Sequence, residues 1–247
     1  MDRTLLITGA SSGIGAACAR LAAAPGQHLL LHYGRNREGA EAVAKDARAK
    51  GATVTLLQAD VGDATEIARL GAEMAEAADP ALPLHLINNA GIVDQRASLA
   101  DLTAERLTRM FAVNTVGAIL VAQAAVALMR RGAGGQIVNV SSTAARKGMG
   151  GEYVDYAASK AAIDCFTIGL ADELAAEGIR VNAVRPGLIE TEIHAKGGQP
   201  ERLDSIGHTP PLGRPGSTEE VAEVILWLLS DSASYVTRTV VDVAGGR

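Results

Sequence analysis

The stretch Thr4-Leu5-Leu6-Ile7-Thr8-Gly9-Ala10-Ser11-Ser12-Gly13-Ile14-Gly15 decides the fold. Leu5-Leu6-Ile7 is apolar at successive positions, which suits a strand covered on both faces rather than one with a solvated side. A glycine-rich turn follows, and a helical pattern begins at Gly13. Glycine permits the tight turn and the close approach of backbone to a pyrophosphate. The helix start then offers free N–H groups and a positive dipole end. The spacing Gly-x-x-x-Gly-x-Gly is not the usual dinucleotide Gly-x-Gly-x-x-Gly, so the turn's position after a buried first strand carries more weight than the glycines alone. Gly9, Ser11, Ser12, Gly13, Ile14 and Gly15 are the candidate phosphate contacts.

Outward from this turn, short apolar runs alternate with longer helical patterns. Strands are expected over residues 4–8, 28–33, 53–58, 84–88, 136–141, 180–185 and 240–243. Helices are expected over 13–24, 38–50, 64–78, 103–131, 153–177 and 218–230. Strand and helix in alternation imply a parallel sheet with right-handed crossovers. No linker or repeat divides the 247 residues, which points to a single domain over 1–247. The one long irregular stretch, 186–217, is rich in Gly and Pro, and a loop of that length in a compact domain reads as a substrate lid, here around 187–216.

Composition closes off other classes. Hydrophobic residues are 48% and charged residues 21%, which excludes disorder and low-complexity readings. Aromatics are only 3%, too few for base-stacking platforms, and 23 basic against 28 acidic residues give −5, so no basic field draws nucleic acid. Cys18 and Cys165 have neither a redox nor a zinc spacing and read as buried small hydrophobes in a reducing compartment. The first apolar run is too short for a signal sequence, and the longest apolar helix, near 113–129, is interrupted by Asn114 and Gln123 and falls short of a span. The expectation is a cytoplasmic protein with no membrane, nucleic-acid or metal partner.

The motifs in order resemble the short-chain dehydrogenase/reductase family. Thr8 through Gly15 matches its Thr-Gly-x-x-x-Gly-x-Gly motif without a gap, and Asn88-Asn89-Ala90-Gly91 matches its motif after the fourth strand. Asn114, Ser142, Tyr156, Lys160 and Pro186-Gly187 continue the match at family spacing over nearly the whole chain. The general likeness is to bacterial 3-oxoacyl-carrier-protein reductases and glucose-dehydrogenase-like members. The implied fold is a doubly wound Rossmann α/β domain, a seven-stranded parallel sheet ordered 3-2-1-4-5-6-7 with helices on both faces. The implied activity is hydride transfer between NAD(P) and a secondary alcohol or carbonyl. Two rivals use the same scaffold, a non-catalytic dinucleotide sensor and a non-redox lyase or epimerase.

Tyr156 and Lys160 stand at i and i+4 on a helix, so both face one way. A phenol is a weak acid–base group at neutral pH, and a fixed cation beside it favours the phenolate. Ser142, at the end of a buried strand, can donate to a substrate oxygen, although Ser141 is the neighbouring alternative and alternation lets only one face the pocket. Asn114 interrupts an apolar helix, and the resemblance makes it the holder of a water that relays protons from the lysine. The resemblance also implies that Lys160 holds ribose hydroxyls, that Ile189 contacts the carboxamide through its backbone, and that Thr191 contacts the cofactor through its side chain. Asn89, Ala90, Gly91, Pro186 and Gly187 join these contacts. Asp60, with Val61, would lie near the adenine, although Asp60 equally suits a helix N-cap.

Twenty residues after Gly15, where an NAD site places an acid, stands Arg35. Arg35, with Arg37 as second candidate, is expected to pair with a 2′-phosphate, so NADP is the expected cofactor and NAD a possible one. Ser12 tempers this, because many NADP-using relatives carry a basic residue there. Long helices apolar on more than one face, 103–131 and 153–177, must be buried, and the resemblance implies that they pack against a second subunit, in a homotetramer with a dimer as fallback. Glu152 and Asp155 read as solvated loop acids, His194 and His208 as loop histidines, and Arg238 stands where a glycine is expected before the last strand.

Overall fold

The computed structural model describes residues 2–247, apart from the side chains of His194 and Lys196, so the loop reading of His194 lies outside what is described. Seven parallel strands, β1 (Arg3–Ile7), β2 (Gln27–Tyr33), β3 (Thr53–Gln58), β4 (Leu84–Asn88), β5 (Gln136–Val140), β6 (Arg180–Pro186) and β7 (Val240–Val243), form one sheet in the order β3-β2-β1-β4-β5-β6-β7. Alternation along each strand builds two cores. Leu5, Ile7, Leu29, Leu31 and Ile87 face α1 (Gly13–Ala22), α2 (Arg37–Ala49) and α10 (Thr218–Leu228). Leu6, Leu30, Leu86, Ile137 and Val181 face α3 (Ala64–Ala77), α5 (Ala118–Arg131) and α7 (Val154–Leu174). The register sets Leu5 opposite Leu29 on one side and His85 on the other, and all strand C-termini meet one edge.

Several sequence expectations are corrected. The helix expected over 103–131 is α4 (Ala104–Phe111), a π-helical turn (Ala112–Gly117) and α5. The wider turn lies where Asn114 leaves the apolar pattern and hydrogen-bonds outside the helix. Counted as one, Ala104–Arg131 is 28 residues, long and apolar enough by composition to cross a membrane, contrary to the shorter reading. Its buried face, Val121, Ala122, Ala125, Val126 and Met129, is part of the second core.

Helix α1 stops at Ala22, because Pro25 follows and disfavours helical backbone before it. The 186–217 stretch is not wholly irregular. It holds α8 (Ile193–Lys196) and α9 (Arg202–Ile206) and is pinned by a bridge between Ile189 and Gly216. Cys18 is buried, but Cys165 is exposed on α7. Arg238 sits at φ 64, the left-handed region that favours glycine, with its guanidinium on Asp172 at 2.8 Å.

Asp155 is the largest departure from a loop-acid reading. It lies in the first turn of α7 with its side chain 0% exposed, bound to Arg106 of α4 at 2.7 and 3.3 Å. Burial alone would push its carboxyl up. The Arg106 hydrogen bonds and charge, with the Tyr156 backbone N–H, hold it below the ordinary range instead. Glu152 is also engaged, on Arg202 at 3.1 Å.

Candidate active site

The C-terminal edge of the sheet opens into a cleft of about 970 Å³, at the position where open α/β sheets bind ligands. The turn after β1 forms one wall. Gly9 has φ +67, and a Cβ there would lie 3.0 Å from the Ala90 Cα. A Cβ on Gly15 would lie 2.4 Å from the Gly9 carbonyl oxygen, so Gly15 is a packing residue behind the wall. The Gly9 N–H donates to His32 Nδ1 at 3.2 Å, and His32 Nε2 meets the Ala59 carbonyl at 3.0 Å. Burial holds His32 below the usual imidazole range, so it stays neutral and can accept at Nδ1 while donating at Nε2. Asn89 Nδ2 donates to the Thr8 and Gly9 carbonyls at 2.9 and 3.2 Å, and Thr8 Oγ1 accepts from the Asn89 and Ala90 N–H groups. The turn is thus tied to β2 and β4 before any ligand arrives. Ser12 is the N-cap of α1 but makes no side-chain cap bond, and no acid stands in that first turn. The N–H groups there remain directed at the cleft, where they suit a pyrophosphate.

At the other end of the cleft, β5 hands over to Ser141 and Ser142. Ser141 and Ser142 both line the cleft, contrary to the expectation that only one would, but Ser141 Oγ donates to the Lys160 carbonyl at 3.1 Å, which commits its hydroxyl to α7. Ser142 lines the cavity and accepts from the Ala144 N–H at 3.1 Å, with its hydroxyl on the Tyr156 side of the cleft. Lys160, one turn after Tyr156, donates from Nζ to the Val140 carbonyl at 2.8 Å and lies 5.9 Å from the Tyr156 ring centre. Burial pushes the Tyr156 phenol above its ordinary value, with the Ser142 hydroxyl pulling the other way. Burial also lowers Lys160 to about 8, with Asp164 opposing it. A Cβ on Gly91 would lie 3.2 Å from Lys160 Nζ and 3.3 Å from Asn114 Oδ1, so a side chain there would press on the ammonium.

The structure sorts the sequence candidates. Gly9, Ser11, Ser12, Gly13 and Ile14 line the cleft together with Asn89, Ala90 and Gly91. So do Ser142, Tyr156, Lys160, Pro186, Gly187, Ile189 and Thr191. Arg35, Asp60 and Val61 line its far end. Arg37 is not among the lining residues and pairs with Glu41 at 2.7 Å on the exposed face of α2. Asn114 stands behind the wall. Its Oδ1 accepts from the Ile92 N–H at 2.8 Å, and its Nδ2 donates to the Ile92 carbonyl and to Ser159 Oγ. Asp60 is not a cap, because Asp63 caps α3. The Asp60 carboxylate instead accepts from the Gly62 N–H and pairs with Arg109 at 2.9 Å. Sequence reading missed His32 and Arg109, because their roles depend on neighbours 23 and 49 positions away.

A second, smaller chamber opens beside the cleft. Ser142, Tyr156 and Gly187 line both spaces, so the hydroxyl pair stands at their junction. The segment 187–216 crosses this chamber. Tyr153 donates to the Gly197 carbonyl at 3.0 Å, and the Arg202 guanidinium stacks 5.6 Å from the Tyr153 ring centre.

The profile of a family described as enoyl-(acyl carrier protein) reductase matches residues 9–247. The uncharacterized oxidoreductase YgfF of Escherichia coli strain K12 is 46% identical over 245 residues, 98% of each chain. The L-xylulose reductase of Caenorhabditis elegans is 35% identical, covering 99% of this chain and 95% of that one. Among solved structures, a short-chain type dehydrogenase/reductase from Mycobacterium marinum is 30% identical with TM-score 0.90, covering 99% and 94%. The angucycline ketoreductase LanV with bound NADP is 28% identical with TM-score 0.88, covering 99% and 95%. The chain belongs to the short-chain dehydrogenase/reductase family. It is an NAD(P)-dependent oxidoreductase that works on small molecules.

Proposed function

We propose that the chain transfers hydride between NADP(H) and a secondary alcohol or carbonyl, with Tyr156 as acid–base group. The observation that carries this is the meeting of the dinucleotide-sized cleft and the smaller chamber at Ser142 and Tyr156. When bound, the nicotinamide supplies or accepts the hydride. Ser142 donates a hydrogen bond to the substrate oxygen as negative charge develops on it. Tyr156 hands its phenolic proton to that oxygen in reduction and takes the proton back in oxidation. Lys160 offers its ammonium to the ribose hydroxyls and favours the phenolate. Asn114, fixed on Ile92, positions the wall behind Lys160 and stands where a water relay to solvent would begin. A spectrophotometric screen of ketones, sugars and oxoacyl thioesters with both nicotinamides tests this. Cofactor binding without absorbance change on any substrate would favour a sensor, and substrate conversion without net nicotinamide change would favour a lyase or epimerase.

NADP preference rests on Arg35, which lines the far end of the cleft with no acid at that strand end. A guanidinium pairs with a 2′-phosphate that a carboxylate would repel. Arg35→Ala should raise the KM for NADPH by about tenfold, the order of one charge-assisted hydrogen bond, and leave NADH nearly unchanged. Equal or better kcat/KM with NADH in the unmutated enzyme overturns the preference.

The assembly proposed is a homotetramer, with a dimer as fallback. Leu107, Val116 and Ile119 are exposed along α4 to α5, and Ala158, Ala161, Cys165 and Gly169 form an exposed small-residue stripe on α7. Trp227 and Tyr235 are exposed apolar surface elsewhere. Light scattering at micromolar concentration should report the tetramer, and a monomer would remove the proposal.

The segment 187–216 is proposed as a substrate lid within one domain. It is rich in Gly and Pro, and Tyr153 on Gly197 and Glu152 on Arg202 hold it over the chamber. Hydrogen exchange in this segment should slow when NADP(H) is added, and equal protection with and without cofactor would count against it.

A further inference from the structure

The substrate chamber has an uneven charge. Val93, Met149 and Leu188 give it apolar surface, while its charged lining residues are Lys147, Arg202 and Arg247, and no Asp or Glu is among the lining. The carboxylates around it are committed elsewhere. Glu152 holds Arg202 at 3.1 Å. Asp242 is shared between Arg146 at 2.8 Å and Arg185 at 3.5 Å, and Asp164 holds Arg185 at 2.8 Å. Among the described residues, the Lys147 ammonium and the Arg247 guanidinium have no hydrogen bond or ion pair. The two cations are electrostatic neighbours. Burial, then the positive charges of Arg247 and Arg146, hold Lys147 below the ordinary lysine range against the pull of Asp242.

Both cations are placed by the backbone on the wall of the chamber that Ser142 and Tyr156 also line. The single turn of α6 (Ala144–Lys147) starts two residues after Ser142 and ends at Gly148, φ 69, which leaves Lys147 facing the chamber. Arg247 follows Gly245 and Gly246, which lie flat against the lid. A Cβ on Gly246 would sit 3.0 Å from the Pro211 Cβ, and the Gly245 carbonyl accepts from the Leu212 N–H at 3.1 Å. Two neighbouring cations without partners repel, and an anion seated between them turns that repulsion into two attractions.

We infer that the substrate is a carbonyl compound, or the matching alcohol, that carries an oxyanion, a carboxylate or phosphate ester, held at the chamber mouth by Lys147 and Arg247. The inference rests on the hydride-transfer reading of the same site and assigns it a substrate class. The apolar walls place an uncharged carbon segment between the reacting oxygen at Ser142 and Tyr156 and the anion.

The test compares acetoacetate and levulinate, each beside its methyl ester, and dihydroxyacetone phosphate beside dihydroxyacetone, with saturating NADPH. At least one anion should exceed its neutral partner about tenfold in kcat/KM, and the carboxylate and phosphate arms show which oxyanion is preferred. In the double variant Lys147→Met, Arg247→Met the preference should fall toward parity, mainly through KM, as loss of charge-assisted contacts predicts. Raised salt should shrink it in the unmutated enzyme. Neutral partners used as well as the anions, or a preference intact in the double variant, overturns the inference. Calorimetric binding of levulinate and of dihydroxyacetone phosphate separates this from the hydride-transfer reading. Binding weakened by the double variant supports the anion site even if no probe turns over, and binding unchanged by it overturns the site even if all do.

Discussion

Replacing Tyr156 by Phe is expected to remove about 10²–10⁴ of kcat, the range for loss of a positioned acid–base group, while NADP(H) still binds. The ring survives the change and only the phenolic oxygen at the junction of the two spaces is lost. Ser142→Ala should cost a similar amount. The pH profile carries the sign. Oxidation of an alcohol needs the phenolate, so its rate rises with pH; reduction needs the phenol, so its rate falls. Burial pushes Tyr156 up and lowers Lys160 to about 8, so the ammonium is largely present at neutral pH and is lost above that value. Lys160→Met should therefore move the rise of the oxidation profile to higher pH as well as weaken cofactor binding. Steady-state rates in both directions, with cofactor affinity by fluorescence, check this. A Tyr156→Phe enzyme that keeps more than a tenth of its kcat would show that another group moves the proton.

The second large effect concerns stability. Asp155→Ala should lower the unfolding free energy by about 3–5 kcal/mol, because it strands the Arg106 charge where the pair is now closed off from water. The side chains are only 12% and 0% exposed, unlike exposed pairs such as Arg37 with Glu41. The pair joins α4 to the first turn of α7, one residue before Tyr156, so the same loss should loosen the catalytic end of that helix. Because Asp155 is held below its ordinary range, its stabilising contribution is present above about pH 4, the unfolded carboxyl value, and fades as pH falls through the lower folded value. Urea unfolding of the single and double Arg106 and Asp155 variants measures the coupling. A loss below about 1 kcal/mol for Asp155→Ala, the worth of a surface pair, would mean the pair is solvated in solution.

The alternation of apolar runs with helical patterns was enough for the parallel sheet, because strands buried on both faces leave an unbroken apolar signature such as Leu29-Leu30-Leu31. The turn from Gly9 to Gly15, and Tyr156 with Lys160 on one helix face, were legible because their spacing along the chain is local and matches the family's motifs. What lies between distant segments was not. Ser142 was chosen with Ser141 as the alternative, and the alternative fell away only when α7 took the Ser141 hydroxyl through the Lys160 carbonyl. Arg37 stood as the second candidate to Arg35 until the start of α2 turned it onto Glu41. Asp155 read as a solvated acid, since nothing near it in sequence announces Arg106, 49 positions earlier. The π-helical turn at Asn114 arises from hydrogen bonds to Ile92, and the unmatched cations at Lys147 and Arg247 emerge only when α6, β7 and the lid converge. Sequence determined periodicity and local turns because those depend on near neighbours. Only the tertiary structure decided which polar groups find partners, because burial and pairing are properties of segments brought together across the chain.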